Sequence, residues 1–576
     1  MPWHLLPALA TVLLLCLPGQ RGEVGGGPHV TPADLASAGL VAYCAVRLLR
    51  DRARPLTRTA ALLFGAPALA VAVATVTATD PAAALAGYAR ITQVFVLVPL
   101  AVLLLLRSRR DFHWVAGALV LLALVQGAVG VRQYATGTGA SYAGRDVRAV
   151  GTFGPLDVMA MATTVGYGVV IALAVGLALP ATRTGVRGPR RAALGCAAAL
   201  LVPLALSFSR GAWIATACAG TAVLCLYGVR RAVCALTALA ALAVLLVCGT
   251  GVGSGLMAER FDSITRVSAA PDRSVTDRYG LWAAATDIWR DHPATGVGPK
   301  GFAAHRDGHA SVGLSAASDT AGAGHAFQRE PLLSPHNMYL LVLSEQGLLG
   351  ALALLGCWAA LLVCALRRVF DLRREGCFDL RRGSHFGLRR TCCCDSPRAC
   401  CFGLCRAGAG AVGGWGPGGP SGSARNPSGG AEPAALGCGA AAVGLLVWQA
   451  VDFLYADIGG PTTVLTSVAL GLAAWWALSP AAAAAPPTTP LTTSVTTPVT
   501  APVTAPVTAP VTTPRTSPPA PPAALLHLPL PSPTSPPQAP GRADAPTAPP
   551  AAHPYAPPAC RTTPDRERIA PAEAHR

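Results

Sequence analysis

The sequence predicts an all-α integral membrane protein with about 12 transmembrane helices. Of its 576 residues, 52% are hydrophobic and only 13% are charged, and the mean hydropathy is +0.46. Soluble globular domains carry roughly a quarter charged residues, so this composition excludes an ordinary soluble fold. Apolar runs of spanning length recur along the chain, and arginines cluster between them.

The apolar runs define the predicted membrane segments, of which the first two are short. They cover roughly 3–18, 34–49, 59–78, 83–106, 112–131, 152–180, 192–208, 211–228, 232–250, 336–365, 434–454 and 461–478. The chain divides accordingly into a first membrane segment with a short outer loop (1–33), transmembrane helices (34–250), an extracytoplasmic loop (251–335), a further transmembrane helix (336–365), a basic loop (366–433), the last two transmembrane helices (434–480) and a tail (481–576).

The positive charge is distributed as a topology signal. The net charge is +17, and almost all of the basic residues are arginines, with Lys300 the single lysine. The arginines cluster at 50–58, 107–110, 183–191, 230–231 and 367–406. With twelve spans all of these clusters fall on one side, which the positive-inside tendency assigns to the cytoplasm. This places both termini in the cytoplasm and the 251–335 loop on the outer side of the cytoplasmic membrane. The clustering of the arginines between apolar runs also argues against a nucleic-acid-binding face.

The first segment has a second interpretation. Residues 1–18 are short for a span and are followed by a glycine-rich stretch, as in a cleaved signal peptide. No Lys or Arg precedes the apolar run, which favours a retained first helix. Cleavage would leave eleven spans without changing the side of any loop.

Two segments have biased composition. The tail from Ala481 is rich in Pro, Ala and Thr, with an Ala-Pro-Val-Thr repeat over 501–512, and is predicted to be disordered or polyproline-II-like. The 366–433 loop is rich in Arg and Gly and contains several cysteines: Cys377, Cys392, Cys393, Cys394, Cys400, Cys401 and Cys405. Three adjacent cysteines fit no paired zinc-ligand spacing, so a solvated loop with reduced thiols is favoured over a metal site.

Two arginines on the predicted outer side stand out. In the 251–335 loop, Thr276 is predicted to cap a helix that ends at His292-Pro293, which puts Arg278 in the first turn, where the helix dipole disfavours a cation. Arg278 then either pairs with Asp277 or faces an anionic ligand. Arg210 lies in a very short outer hairpin, against the charge bias, so it either extends to lipid headgroups or binds phosphate.

His336 lies where the outer loop re-enters the membrane, in Ser334-Pro335-His336-Asn337. A histidine there has water on one side and a low-dielectric bundle on the other, which suits a group that transfers protons.

Three motifs, in this order, resemble those of the O-antigen ligase and O-antigen polymerase superfamily of bacterial membrane glycosyltransferases. They are S-F-S-R-G-A-W (207–213), D-R-Y-G-L-W with D-H-P-A-T-G-V-G-P-K-G-F (277–302), and P-H-N-M-Y-L with E-Q-G-L-L-G (335–350). An earlier stretch, 151–160, is similar to the family's G-T-F-G-x-P-N element but has Asp157 at the asparagine position.

The resemblance implies a GT-C-like helical enzyme that moves a glycan from an undecaprenyl-diphosphate carrier to a hydroxyl acceptor outside the cytoplasm. The acceptor is a lipid, a protein, the wall or another glycan, and no metal or other cofactor is required. Carried onto this chain, His336 is the base, Arg210 and Arg278 bind the diphosphate, and Asn337 orients the imidazole or the acceptor. The expected outcome is inversion at the anomeric carbon.

Other polar residues are secondary candidates. Glu345 lies nine residues after His336, about 13.5 Å along a helix and on the opposite face, so it is predicted to hold another helix or a loop. Arg90 and Asp452 are charges within apolar runs, which usually face a cavity, and pairing between them is open. The outer-loop histidines His292, His305, His309 and His325 are alternatives to His336 as the base.

Two other classes of protein fit the composition. A transporter also has about twelve spans, but its halves are usually repeated, and no such repeat is evident here. A membrane scaffold with the proline-rich tail as its working part is the second. Within the superfamily, ligase and polymerase differ in acceptor alone, and the sequence leaves that choice open.

Overall fold

The computed structural model describes residues 3–17, 31–51, 56–142, 145–154, 158–179, 188–250, 273–310, 314, 317–322, 328–331, 333–382, 431–458 and 462–479. The predicted tail, Cys392 to Cys405, His325 and Asp157 lie outside these residues.

The N-terminal half is a series of helices separated by short connections. They are α1 (Leu6–Leu13, flanked by 3₁₀ turns Trp3–Leu5 and Leu14–Cys16), α2 (Pro32–Asp51), α3 (Arg58–Val76), α4 (Pro81–Thr92), a π-helical turn (Gln93–Leu97), α5 (Val98–Leu105), α6 (Arg109–Thr136), strands β1 (Ala140–Tyr142) and β2 (Arg145–Arg148), a 3₁₀ turn (Gly151–Phe153), α7 (Val158–Ala178), α8 (Gly188–Leu206), α9 (Arg210–Tyr227) and α10 (Val229–Thr250).

The C-terminal half carries the outer segment and the last helices. They are α11 (Arg273–Asp291), α12 (Phe302–His309), β3 (Ala317–Gly322), β4 (Gln328–Pro331), α13 (Met338–Arg382), α14 (Ala431–Asp452) and α15 (Thr462–Leu478).

Each predicted apolar run coincides with a helical segment. Within the described ranges, eight helices are long and apolar enough to cross a membrane, and Trp3–Cys16 and Thr462–Leu478 are shorter apolar helices. The chain is therefore a multi-pass helical membrane protein, and a total of about twelve spans stays a prediction. Helix α13 runs beyond the predicted end at 365, because the apolar span continues into an arginine-bearing stretch compatible with a helix outside the membrane.

Local sequence signals explain several helix ends. Ser108 and Asp111 form a reciprocal capping box at the start of α6, and Gly137 ends that helix in the left-handed conformation. Asp80 caps α4, which has Pro81 at its first position. These pairings satisfy backbone groups that a helix terminus otherwise leaves without partners.

The core of the bundle lies around α7, α14 and α15, whose residues are buried on nearly all sides. Trp448, Trp475 and Tyr167 are among its largest fully buried side chains. Helices α2, α3 and α8 are buried on one side only. Leu62 and Leu69 of α3 are exposed by 73% and 68%, as expected for a surface in contact with lipid.

A small sheet is the exception to the helical prediction. Its strand order is β2-β1-β3-β4, and all neighbours are antiparallel. The pairing of β1 with β3 joins the α6–α7 connection to the 251–335 loop, through partners such as Tyr142 and Thr320. Two segments far apart in sequence are therefore linked on one side of the bundle.

Contacts sort the helix termini into two ends. At what we call the site end (the described residues of 137–154, 206–210, 273–338 and 453–458), the Ala149 N–H donates to the Leu206 carbonyl at 3.1 Å, and the Met338 N–H donates to the Phe453 carbonyl at 2.9 Å. At the arginine-rich end (His4, 107–111, Arg368 and Ser479), His4 lies 3.3 Å from Asp111. This is the arrangement that alternating spans require.

The first segment packs into the bundle. Leu5, Leu9 and Val12 are buried, and the Gln126 side chain on α6 donates to the Leu15 carbonyl at 3.1 Å. These contacts suit a retained helix better than a cleaved signal, and retention stays a prediction.

Candidate functional site

The loop before α13 holds His336 in a strained conformation. His336 has φ of 49°, in the left-handed region that residues other than glycine seldom adopt, and its N–H contacts the Ser334 hydroxyl at 3.4 Å. Such backbone costs energy and persists where neighbouring structure enforces it, which is common at functional sites. The imidazole is therefore held in place by its surroundings.

A turn after α14 enforces that conformation. The Met338 N–H donates to the carbonyls of Phe453 and Ala456, at 2.9 and 3.0 Å. The Asn337 amide donates to the Leu454 carbonyl at 3.2 Å, and its oxygen accepts from the Leu340 N–H at 3.1 Å. The Asn337 side chain thus caps α13 and binds the turn, and its contact with substrate stays a prediction.

Helix α11 brings Arg278 to the same loop. Trp282, one turn after Arg278, donates its indole N–H to the Pro335 carbonyl at 2.9 Å. The helix starts at Arg273, so the prediction that Thr276 caps it was wrong, and Arg278 lies in the second turn, where the dipole opposes a cation less. The predicted end before His292-Pro293 is confirmed, since α11 ends at Asp291.

Arg210 is the first residue of α9, directly after the N-cap Ser209, whose hydroxyl accepts from the Ala212 N–H at 3.3 Å. Phe208, two residues earlier, has φ of 50°. A Cβ placed on Gly211 would lie 3.1 Å from the Cβ of Tyr455, so α9 begins against the same turn that holds Met338. Arg210 and His336 are thus carried by segments that contact the 453–458 turn, and Arg278 is carried by a helix that contacts the His336 loop.

The surroundings of His336 favour its neutral form. Burial lowers the pKa of His336, the Asp457 carboxylate acts in the opposite direction, and the Arg278 guanidinium lowers the pKa further. The imidazole is consequently neutral at pH 7 and able to accept a proton.

Asp457 is the site residue that sequence reasoning missed. It lies in the turn between α14 and α15, and the only sequence signal is an acidic residue in a short connection between two apolar runs. Its Oδ2 is buried and has no hydrogen-bond partner among the described residues. Its proximity to His336 arises from tertiary packing that the sequence pattern does not encode.

Glu345 is buried on α13, and its carboxylate accepts a hydrogen bond from the Phe302 N–H at 3.2 Å. The Gly298 N–H also donates to the Glu345 carbonyl at 2.9 Å. Next to it, Gly347 kinks the helix with φ of 62°, and a side chain there would collide with Ala294. Glu345 therefore holds the 293–302 segment against α13.

The two charges predicted within apolar runs have different surroundings. Arg90 forms a salt bridge with Asp34 on α2 and contacts the Gln93 side chain at 3.3 Å. Asp452 is buried at the end of α14 and accepts from the Gln449 amide at 3.3 Å. Their contribution to substrate binding stays a prediction.

The other described histidines are involved in local contacts. His309 lies 2.9 Å from Asp291, and its pKa is raised by the His305 carbonyl and by this carboxylate, so less of its ring is neutral at pH 7 than that of His336. The His305 ring contacts the Gly301 carbonyl at 2.9 Å, and the rings of His292 and His305 lie 6.3 Å apart.

The arrangement defines a multi-pass membrane protein with a histidine and two arginines at one end of its bundle. A family model described as O-antigen ligase matches residues 195–355, from within α8 into α13. This match confirms the predicted resemblance to the O-antigen ligase superfamily and suggests ligase or glycosyltransferase-like activity in general. The matched segment contains Arg210, Arg278 and His336. No curated protein matches the chain.

Proposed function

We propose that this protein is an O-antigen ligase-like membrane glycosyltransferase with a GT-C-like fold. It transfers a glycan from an undecaprenyl-diphosphate carrier to a hydroxyl acceptor on the outer face of the cytoplasmic membrane. The observation that carries the proposal is that the His336 loop contacts both the Arg278 helix and the 453–458 turn, against which the Arg210 helix begins. The O-antigen ligase family model covers all three residues.

The proposed reaction is a displacement at the anomeric carbon. A ring nitrogen of His336 accepts the proton of the acceptor hydroxyl, whose oxygen bonds to the anomeric carbon. The bond from that carbon to the diphosphate oxygen breaks, and its electron pair leaves with the undecaprenyl diphosphate. Attack opposite to the leaving group inverts the configuration.

The residues match the demands of this reaction. The diphosphate is already a good leaving group, so positioning, a base and cationic stabilisation supply the catalysis. Guanidinium groups bind phosphate oxygens through two parallel hydrogen bonds, which suits Arg210 and Arg278. The charge they supply makes a metal ion or other cofactor unnecessary in the proposed mechanism. Asn337 positions the acceptor or the imidazole, and Glu345, Arg90 and Asp452 support the site through neighbouring segments.

The membrane side follows from the arginine clusters. They assign the arginine-rich end to the cytoplasm and the site end to the outside. Lipid-linked glycans are then met at the outer surface, beside the loop that carries His336.

The test is a transfer assay with purified full-length protein. An undecaprenyl-diphosphate-linked glycan is incubated with a panel of lipid, peptide, wall and oligosaccharide acceptors, and product and anomeric configuration are determined. Transfer to one acceptor class with inversion supports the proposal, and extension of the glycan itself identifies a polymerase of the same superfamily. If the protein binds the donor, transfers it to no acceptor and acts as a transporter or scaffold, the proposed function is wrong.

A further inference from the structure

The 453–458 turn does more than connect two helices. It receives the Met338 N–H on two carbonyls and the Asn337 amide on a third, so it is attached on the C-terminal side of His336. A connection that only joined α14 to α15 would not need three hydrogen bonds to another helix. The turn is therefore in a fixed position relative to the imidazole.

One carboxylate in this turn is incompletely satisfied. Oδ2 of Asp457 is buried without a hydrogen-bond partner among the described residues. A buried carboxylate oxygen without a donor is costly, and where one persists in a native structure it often belongs to a functional arrangement. Asp457 lies outside the segment that the family model matches.

Two charged groups act on His336, and each belongs to a different element that packs near its loop. Arg278 on α11 and Asp457 in the turn both act on the imidazole electrostatically. Glu345 lies on α13 itself, with its carboxylate bonded to the Phe302 N–H, and Arg210 is carried at the start of α9 against Tyr455. Asp457 is the carboxylate among these groups that acts on His336.

We propose that Asp457 is a positioning residue that stabilises the His336 imidazolium formed during transfer. The inference rests on the proposed function, because it assigns His336 the role of base. When the imidazole takes the acceptor proton, a cation appears beside Arg278, whose charge opposes it. The Asp457 carboxylate offsets that repulsion through its charge.

The test is the pH dependence of the transfer rate in Asp457→Asn. Without the carboxylate, Arg278 and burial act on His336 unopposed, so the rising limb of the rate should move to lower pH by about one unit. The plateau rate should fall by at least about tenfold, since the imidazolium has lost its counter-charge. Asp457→Glu, which restores the charge, should recover most of the rate.

The matched control is Asp291→Asn. Asp291 also pairs with a histidine at the site end, His309 at 2.9 Å, but is not among the charges that act on His336. Its rate and its pH profile should equal those of the wild type. A purely structural contribution of Asp457 would lower the rate without moving the limb, and that result would overturn the inference.

The outcomes separate the inference from the proposed function. A His336→Ala variant that transfers at the wild-type rate refutes the proposed base. If His336→Ala is inactive while Asp457→Asn keeps both wild-type limb and plateau, the positioning role alone is refuted. Asp457→Ser is a second variant without the charge. If neither Asp457→Asn nor Asp457→Ser folds, Asp457 is needed for stability and the inference is overturned.

Discussion

Two arginines at opposite ends of the bundle are placed in opposite ways. Arg368 donates to the carbonyls of Trp476 and Ser479, both at 2.6 Å, at the C-terminus of α15, where the helix dipole favours a cation. Arg210 is the first residue of α9, at the positive end of that helix. The helix dipole therefore favours Arg368 and disfavours Arg210. Arg58 and Arg109 also begin helices, so this position is compatible with an anionic ligand at Arg210 without requiring one.

The backbone shows the same contrast. In the described part of the chain, the residues other than glycine with positive φ are Phe208, Lys300 and His336, and all belong to the site end. The arginine-rich end obeys local rules, as in the capping box of Ser108 and Asp111. Proteins tend to depart from local rules at functional sites, so the two ends differ in function and not only in charge.

Labelling in intact cells tests which end faces outside, and its expected effect is all or none. The 251–335 loop contains no cysteine, so a membrane-impermeant maleimide should leave this loop of the wild-type protein unlabelled. Asp307→Cys, at a position whose side chain is 79% exposed, should react readily. Gel shift or mass spectrometry of the purified protein gives the readout.

Permeabilised cells provide the control for that experiment. There the native cysteines of 377–405 should also react, if that loop is cytoplasmic as predicted. Labelling of these cysteines from outside, with Asp307→Cys protected, would reverse the two ends and move the proposed site into the cytoplasm.

Replacing His336 should give the largest loss of rate. We expect His336→Ala to lower transfer by roughly a hundred- to ten-thousandfold, the usual contribution of a positioned base. Affinity for the lipid-linked donor should be nearly unchanged, since the arginines bind the diphosphate. Initial rates and a donor-binding isotherm measure the two quantities.

The wild-type pH profile sharpens the same prediction. A base works when unprotonated, so the rate should rise with pH through the pKa of His336 and then level off. Because burial and Arg278 lower the pKa of His336, the midpoint should lie below the usual value of about 6.5. A His336→Ala variant that keeps its rate and loses donor affinity would make His336 a ligand and not the base.

Arg210→Ala and Arg278→Ala should each cost about 2 to 4 kcal/mol of transition-state stabilisation, close to the loss of one donor in an anion-stabilising site. The reason is that each guanidinium neutralises the departing diphosphate. Rates per folded protein and donor affinity are compared with those of the wild type. Wild-type rates in both variants would contradict diphosphate binding and would favour the alternatives, a lipid contact for Arg210 and a local ion pair for Arg278.

Much of the bundle could be predicted from the sequence, because apolar runs and arginine clusters are local signals. The end of the helix containing Trp282, at His292-Pro293, followed from proline rules. The start of α11 was misplaced because Thr276 resembles a cap, whereas the helix continues one turn earlier. Local pattern does not distinguish a cap from a threonine inside a helix when tertiary contacts extend that helix.

The site was predictable only in part. Arg210 stood out because short outer loops usually lack arginine, and His336 because it lies where the outer loop re-enters the membrane. Arg278 stood out because it was predicted in the first turn of a helix, and the superfamily motifs contain all three residues. Asp457 did not stand out, since its significance depends on the Met338 contacts that bring its turn to His336. The β1–β3 pairing was missed for a similar reason, because very short strands far apart in sequence leave little periodic signal.

The smallest expected effect on transfer is that of Arg368→Ala, the counterpart of Arg210→Ala at the other end. It removes hydrogen bonds to the Trp476 and Ser479 carbonyls, so it should cost about 1.5 to 3 kcal/mol of stability, as for bonds to a charged donor. The transfer rate per folded molecule should stay at the wild-type level, because the residue lies at the end away from His336. Thermal unfolding in detergent and initial rates on the same preparation separate the two effects. If Arg368→Ala lost activity with unchanged stability, Arg368 would contribute to transfer and not to the fold. The contrast between a structural Arg368 and a ligand-binding Arg210 would then be wrong.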